Sequence, residues 1–365
     1  MQFARRSTLH SPYLEAVKYV HDARFDLSSS GVEKVQLNEL GVRMEELELS
    51  GSSAYGDVEL IELIAARAGV PAECVVLTLG TSLANNVAMA ALFDPGDEVL
   101  IEEPTYDPVL YTARLLGAEI RRLPRREENG FAVDPDELRR LLTTRTRMVA
   151  LCNLHNPTSA RIGSEEMRAL GEIAAKVGVW VLVDEVYRET VWGEERKHAL
   201  SLGENFVVTS SLTKAFGLSG LRCGWILAQP ELAGRMRRMQ ELYHGVHVRM
   251  AERLSVAAMR SLAGLEARAR LRLDANRACA TELLASHPAV RVIVPEFGTT
   301  VAPRLLRGSA DEFCQLLRNR YEVAVASGSH FEMPGHIRIG LGGDPKIFRE
   351  GLGRVMEALD EFGRC

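Results

Sequence analysis

The chain has 365 residues, too many for one small core, so a large domain with a smaller companion is expected. Apolar residues make up 46% and charged residues 25%, the ordinary balance of a globular protein. The formal net charge of −5 argues against a nucleic-acid backbone or an anionic membrane surface as the main partner.

Met1-Gln2-Phe3-Ala4-Arg5-Arg6 leads into a polar stretch with no apolar h-region. No apolar run further on approaches a membrane span, so a cytoplasmic location is expected. Residues 58–68 have helical apolar spacing and stop at Gly69, with Pro71 just beyond. Residues 74–79 form a short apolar strand candidate. Gly80-Thr81-Ser82 then turns into a helix running to about Phe93. Pro95-Gly96-Asp97 marks a turn before a strand at 98–101. Asp134-Pro135-Asp136-Glu137 reads as a helix start, with Asp as N-cap and Pro at the first helical position. Further strands are expected at 148–152, 180–183, 206–209 and 225–228, with a helix at 164–177 between two of them. Apolar strands separated by helices imply a mostly parallel sheet covered on both faces. From about 250 the texture changes to a long Ala- and Arg-rich helical stretch spanning about 252–286, then short strands and helices. The reading is a large α/β domain at 48–262, with a smaller α+β domain built from 263–365 and the N-terminal arm 1–47. Six cysteines, at 74, 152, 223, 279, 314 and 365, form no Cys-x-x-Cys pair. They read as buried or incidental thiols in a reducing compartment, not as a disulfide framework or a metal site.

The segment richest in chemistry runs from Ser210 to Trp225: Ser-Ser-Leu-Thr-Lys-Ala-Phe-Gly-Leu-Ser-Gly-Leu-Arg-Cys-Gly-Trp. Its Lys214 is one of only six lysines and sits between two apolar strands, where a solvated lysine is out of place. A partly buried lysine shifts its pKa readily and forms imines with carbonyls. Ser211 and Arg222 add a hydroxyl and a fork of N–H donors, a set that suits phosphate.

This segment closely resembles the lysine motif of the class I/II aminotransferases, the fold-type I family that uses pyridoxal 5′-phosphate (PLP). The resemblance extends in order over nearly the whole chain. It implies a seven-stranded-type, mostly parallel sheet between helices. It also implies transfer of an amino group between an α-amino acid and a 2-oxo acid, through a Schiff base on Lys214. Ser53-Ala54-Tyr55-Gly56 is similar to the segment whose tyrosine reaches the phosphate of a neighbouring subunit, which implies a homodimer. Gly80-Thr81-Ser82 is similar to the phosphate turn, and Ser211, Thr213 and Arg222 complete that cradle. Pro104-Thr105-Tyr106 implies a ring stacked on the pyridine. Asn153-Leu154-His155-Asn156-Pro157-Thr158 resembles the Asn-Pro-x-Asn-Pro signature, with Leu154 in place of its first proline and Ser159 in place of the usual glycine. The resemblance implies a cis peptide before Pro157. Val183-Asp184-Glu185-Val186-Tyr187 matches Asp-Glu-x-Tyr, and His336-Ile337-Arg338-Ile339-Gly340 matches the arginine segment that binds the α-carboxylate. Gly31 is expected beside that substrate site.

In these roles Asp184 keeps the pyridine nitrogen protonated, and Tyr187 and Asn156 hydrogen-bond the phenolic oxygen of PLP. Lys214 holds the cofactor and, once displaced, moves the proton. The helix opening at Gly80 offers free N–H groups to phosphate. Arg338 clamps the carboxylate with two parallel hydrogen bonds. Arg249 or Arg253 could meet an acidic side chain, and His244 and His247 read as surface or interface residues. Other PLP chemistries use the same fold: C–S lyases, decarboxylases and cyclases. A sensor that merely binds PLP is a further alternative. Ser211-Leu212-Thr213-Lys214 also satisfies the Ser-x-x-Lys nucleophile motif of serine acylases, but their Lys-[Thr/Ser]-Gly strand and Ser-x-Asn element are absent from the sequence. No Gly-x-Gly-x-x-Gly follows a strand, which argues against a dinucleotide enzyme.

Overall fold

A computed structural model describes residues 5–18, 23–51, 54–193 and 197–363. Of the sequence features above, Met1–Ala4, Ser53 and Cys365 lie outside the described residues. Strand β1 (Phe25–Asp26) belongs to the smaller part of the molecule. The central sheet holds β2 (Val75–Leu79), β3 (Glu98–Glu103), β4 (Glu119–Pro124), β5 (Thr146–Cys152), β6 (Trp180–Asp184), β7 (Phe206–Ser211) and β8 (Cys223–Leu227). Their order is β2-β8-β7-β6-β5-β3-β4. The sheet from β7 through β4 is parallel, while β8 runs antiparallel to both β2 and β7. The central strands are buried on both faces, which is why they read as unbroken apolar runs.

Helix α1 (Pro12–Val17) precedes the sheet, and α2 (Val58–Ala68) ends at Gly69, in the left-handed region at φ 67°. Helices α3 (Thr81–Leu92), α4 (Asp107–Leu115), α5 (Pro135–Leu141), α6 (Ser164–Ala175) and α7 (Pro230–His244) cover the sheet. The single long helix expected at 252–286 is two helices, α8 (Arg249–Arg260) and α9 (Leu262–Leu284). The break is at Ser261, at φ −101° and ψ 7°, whose N–H closes the first helix on Ala257 and Ala258.

Past α9 come β9 (Val290–Arg291), β10 (Thr300–Val301), β11 (Arg304–Leu305), α10 (Ala310–Tyr321), β12 (Val323–Ala324), β13 (Ala326–Ser327), β14 (Ile337–Gly340) and α11 (Pro345–Phe362). Strand β14 is the middle of a three-stranded antiparallel sheet, β10-β14-β13, and β1 pairs with β12. A second apolar core gathers Phe25, Leu27 and Val32 with residues of α9, α10, β14 and α11. The N-terminal segment is therefore knitted into the C-terminal layer. Among the described residues no helix is long and apolar enough to cross a membrane.

Candidate active site

The parallel strands end at one edge of the sheet, and the loops that leave them converge there. This is where an open α/β sheet places its ligand. The cavity at this edge has a volume of about 350 Å³ and is walled by Thr81, Ser82, Asn85, Tyr106, Asn156, Asp184, Tyr187, Thr213, Lys214 and Arg222, among others. Every one of these except Asn85 is a residue singled out from the sequence.

One end of the cavity is built for an anion. Gly80, at φ 84°, caps α3, so the first N–H groups of a twelve-residue helix face the cavity. A side chain at Gly80 would be strained at that φ, and its Cβ, 2.2 Å from Nη2 of Arg222, would push the guanidinium out of place. Gly224 packs against the Gly80 backbone with no room for a Cβ either. Thr81 Oγ1 donates to Ser211 Oγ at 2.8 Å, and the Thr213 N–H reaches the same oxygen at 3.3 Å. Arg222, itself in the left-handed region at φ 49°, donates to the Leu79 carbonyl at 3.2 Å.

At the floor, Asp184 is 7% exposed. Its Oδ2 accepts from Asn85 Nδ2 at 2.9 Å and its Oδ1 from the Val186 N–H at 3.1 Å. Thr209 Oγ1 donates to Asn85 Oδ1 at 2.6 Å and so fixes the amide's orientation. Burial pushes the Asp184 carboxyl up to about 6, against the pull of those hydrogen bonds. Among the described residues no cation forms a salt bridge with it.

Lys214 Nζ donates to Ser30 Oγ at 2.9 Å. Burial depresses its pKa, opposed by Tyr13 and Asp184. Gly31 lies against the Lys214 backbone: a Cβ there would sit 3.5 Å from the Lys214 carbonyl oxygen, and the Val32 N–H donates to that oxygen at 2.9 Å. Tyr187 is buried, and burial raises its phenol above the usual range.

Arg338 is 0% exposed, on the central strand of its sheet. Nη1 donates to Asn156 Oδ1 at 3.0 Å, and Nη2 to Tyr13 Oη and to the Ser28 carbonyl, each at 2.8 Å. Phe331 and Tyr13 lie beside the guanidinium, with ring centroids 4.7 and 5.0 Å from Cζ. Among the described residues Arg338 forms no salt bridge.

The loop after β5 departs from expectation. The peptide before Pro157 is not cis; the cis bonds are Asn153–Leu154, where the signature's first proline is replaced, and Glu103–Pro104. The segment at Pro157 turns instead through His155 and Ser159, whose N–H donates to the His155 carbonyl at 2.6 Å. Ser159 sits at φ 58°, which explains why glycine suits this position elsewhere. Here its hydroxyl compensates by donating to the Thr300 carbonyl at 2.9 Å. His155 is buried, with Nε2 2.9 Å from the Pro104 carbonyl and Nδ1 2.7 Å from Thr158 Oγ1. A carbonyl only accepts, so Nε2 carries the proton and Thr158 donates to Nδ1. The ring thus ties the loop bearing Tyr106 to the loop bearing Asn156.

Three expected residues lie elsewhere. Tyr55 is 40% exposed and does not line this cavity. Arg249 pairs with Glu48 and Asp57, and Arg253 with Asp57 and Glu59, so neither faces the cavity as a free cation. His244 and His247 stack edge to face at 4.7 Å on the α7–α8 connection. Sequence reasoning missed Asn85, Ser30, His155 and Tyr13. Asn85 left a signal: two asparagines inside an apolar helix are poor helix formers and need partners. Tyr13 and Ser30 left none, because only the fold brings the N-terminal arm over the site.

The residues fit PLP: an anion cradle, a buried carboxylate, an aromatic wall and a lysine amine surround one cavity of suitable size. The comparisons agree. Residues 32–355 match the family model "Aminotransferase class I and II". The arginine–pyruvate transaminase AruH of Pseudomonas aeruginosa is 32% identical over 325 residues, covering 84% of this chain and 82% of that protein. A PLP-dependent aminotransferase from Streptococcus suis superposes with a TM-score of 0.90 at 26% identity, over 97% and 99% of the two chains. The PLP-dependent cyclase OrfR superposes with a TM-score of 0.88 at 28% identity, over 96% and 97%. With the cradle, the buried carboxylate and the lysine at one edge of a seven-stranded sheet, this chain belongs to the class I and II aminotransferases and is a PLP-dependent transaminase.

Proposed function

We propose that the substrate is an α-amino acid held by Arg338, and that Lys214 is both the covalent anchor of PLP and the base that moves the proton. The observation that carries this is Arg338: a fully buried guanidinium without a salt bridge among the described residues, next to the lysine cavity. Burying an unpaired charge is costly, and an incoming carboxylate supplies the missing partner. When bound, PLP supplies the electron sink. Asp184, oriented by Asn85, faces the ring nitrogen and holds its proton. Asn156 is held by Arg338 through Oδ1, which leaves its NH₂ to donate, and Tyr187 donates beside it. Thr81, Ser82, Ser211, Thr213, Arg222 and the turn at Gly80 hold the phosphate. Tyr106 walls the ring, and Gly31 keeps the space beside Lys214 open. Lys214, with its pKa lowered by burial, takes and returns the proton.

The same reading includes a homodimer in which Tyr55 reaches the partner's phosphate. Its support is a run of exposed apolar side chains close to Tyr55: Leu49 at 83%, Val246 at 76% and Val248 at 52%. The Arg249–Glu48 and Arg249–Asp57 ion pairs bring the two segments together. The division into 48–262 and 1–47 with 263–365 has the support of a C-terminal apolar core of its own, which takes in Phe25, Leu27 and Val32, while Leu40 and Leu265 pack into the core of the large sheet. Cysteines 74, 152, 223, 279 and 314 are free thiols, which supports a cytoplasmic location.

The test is Arg338→Lys, which keeps the charge and loses the fork. The expected loss in kcat/KM for amino acids is roughly 1.5–3 kcal/mol, with little change for simple amines. Equal losses for both would place the carboxylate elsewhere. A cyclase is the second reading, favoured by the likeness to OrfR. A panel of amino donors against pyruvate and 2-oxoglutarate separates the two, because a cyclase consumes the donor without aminating the acceptor.

A further inference from the structure

A guanidinium offers parallel N–H pairs along two edges, Nε with Nη2 and Nη1 with Nη2. Any two-point grip on a carboxylate therefore uses Nη2. In Arg338 both Nη2 hydrogens are committed, one to the Ser28 carbonyl and one to Tyr13 Oη, while Nε is buried without a partner. A carboxylate must displace one of the two acceptors. The Ser28 carbonyl is poorly placed to yield, because its neighbours are knitted into the sheets: the Leu27 N–H donates to Ala324, the Gly340 N–H donates to Leu27, and the Ser28 N–H is held by Asp26. Tyr13 is a side chain on the six-residue helix α1. That helix has one carboxylate tether, Asp107, which accepts from Ser11 Oγ at 2.7 Å and from the Tyr13 N–H at 2.9 Å, and it packs its Tyr13 ring on Ala326 and Phe331. The next residue, Leu14, is 40% exposed and lines the cavity.

We propose that Tyr13 is an internal ligand of Arg338, a specificity-determining residue whose hydroxyl keeps the carboxylate seat until the substrate's α-carboxylate displaces it, so that α1 is a lid released by carboxylates. This rests on Arg338 being the carboxylate site. The hydroxyl satisfies a buried donor in the free enzyme, and an amine without a carboxylate has nothing with which to dislodge it. Tyr106 at 5.4 Å and Phe331 at 5.2 Å from the Tyr13 ring hold the aromatic body in place by packing, not by the hydroxyl.

The experiment uses the PLP-loaded enzyme and propionate, a carboxylate with no amine to react. Affinity is measured by calorimetry for the parent, Tyr13→Phe and Arg338→Lys. Tyr13→Phe keeps the ring and frees one Nη2 hydrogen, so propionate should bind roughly 3- to 10-fold tighter, whereas Arg338→Lys should bind it at least about 10-fold more weakly. In the unmodified enzyme, saturating propionate should speed hydrogen exchange at the Tyr13 amide several-fold, since that N–H is held by Asp107. Weakened binding in Arg338→Lys together with equal or weaker binding in Tyr13→Phe overturns this inference alone. Unchanged or slower exchange at Tyr13 also overturns it. Unchanged binding in Arg338→Lys overturns the carboxylate assignment itself, and this inference with it.

Discussion

At Asp184 the energetics of the empty and loaded site pull in opposite directions. In cofactor-free protein its folded pKa, about 6, exceeds the usual 3.8 of an aspartate because of burial. The folded state therefore binds this proton more tightly than the unfolded state. The stability it contributes is complete below about pH 4 and is lost as pH rises through about 6. Asp184→Asn should remove that loss, making cofactor-free protein more stable at pH 7 by roughly 3 kcal/mol and changing it little at pH 4. Thermal melts of the apo forms across this range check it. The loaded enzyme should show the reverse, with weaker PLP retention in Asp184→Asn, because the ring nitrogen loses its counter-charge. Lys214 permits a direct test: borohydride reduction of the loaded enzyme should fix the cofactor to this residue, read by mass mapping of the modified peptide. A modified Lys176, Lys197 or Lys346 would remove Lys214 from its role. At this scale the sequence was informative, because Lys214, Asp184, Asn156 and Tyr187 sit in contiguous motifs. It was silent on Tyr13 and Ser30, whose positions depend on the N-terminal segment folding back across the molecule.

Among the elements, strands buried on both faces were readable as apolar runs, and β5 through β8 appear within a few residues of where the pattern puts them. Strand β4 was not, because it is a sheet-edge strand with the sequence Glu-Ile-Arg-Arg-Leu-Pro. Its arginines point to partners on neighbouring elements, Arg121 to Glu98 and Arg122 to Glu332. Helix α7 was hidden for the same reason, being polar on much of its surface. The loop after β5 shows what an element-level departure does. Thr300 Oγ1 donates to the Pro157 carbonyl at 2.9 Å and lies 3.0 Å from Ser159 Oγ, joining this loop to the strand beside β14. Thr300→Val keeps the shape and removes the hydroxyl. It should cost roughly 1 kcal/mol in melting stability and raise KM for amino acids several-fold, with kcat less affected, because Asn156 and Arg338 sit on the two sides of this joint. Steady-state kinetics with one amino acid donor decide it, and an unchanged KM would mean the joint is only structural.

For the whole molecule, the exposed apolar patch near Tyr55 is the feature that a single chain leaves unexplained. Patches of this kind mark association surfaces. If the proposed dimer forms through this patch, Val246→Asp, at a side chain 76% exposed, should leave the monomer folded but shift sedimentation at assay concentration from dimer to monomer. Activity should fall with it, since each site would lose the neighbour's Tyr55. A fully active monomer would contradict the shared site. The change of texture near 250 gave no sign of how residues 25–32 join the C-terminal core, since nothing local in Phe25, Leu27 or Val32 names their partners.

The reversed strand β8 carries one more consequence. Because it runs against its neighbours, it begins at the edge where β7 ends, and Arg222 returns to the cavity after only the short loop that carries Lys214. A parallel β8 would have started at the opposite edge, about 16 Å away for a five-residue strand. Lys214 and Arg222, the proposed cofactor anchor and phosphate ligand, are thus two points on one loop between paired strands. Arg338 stands behind the cavity wall on another sheet, bonded to the lining residue Asn156. With the proposed roles, a shift of that sheet would change the distance from Arg338 to the loop bearing Lys214 and Arg222 while leaving the spacing of those two residues unchanged, so the enzyme could open for substrate without loosening its hold on PLP.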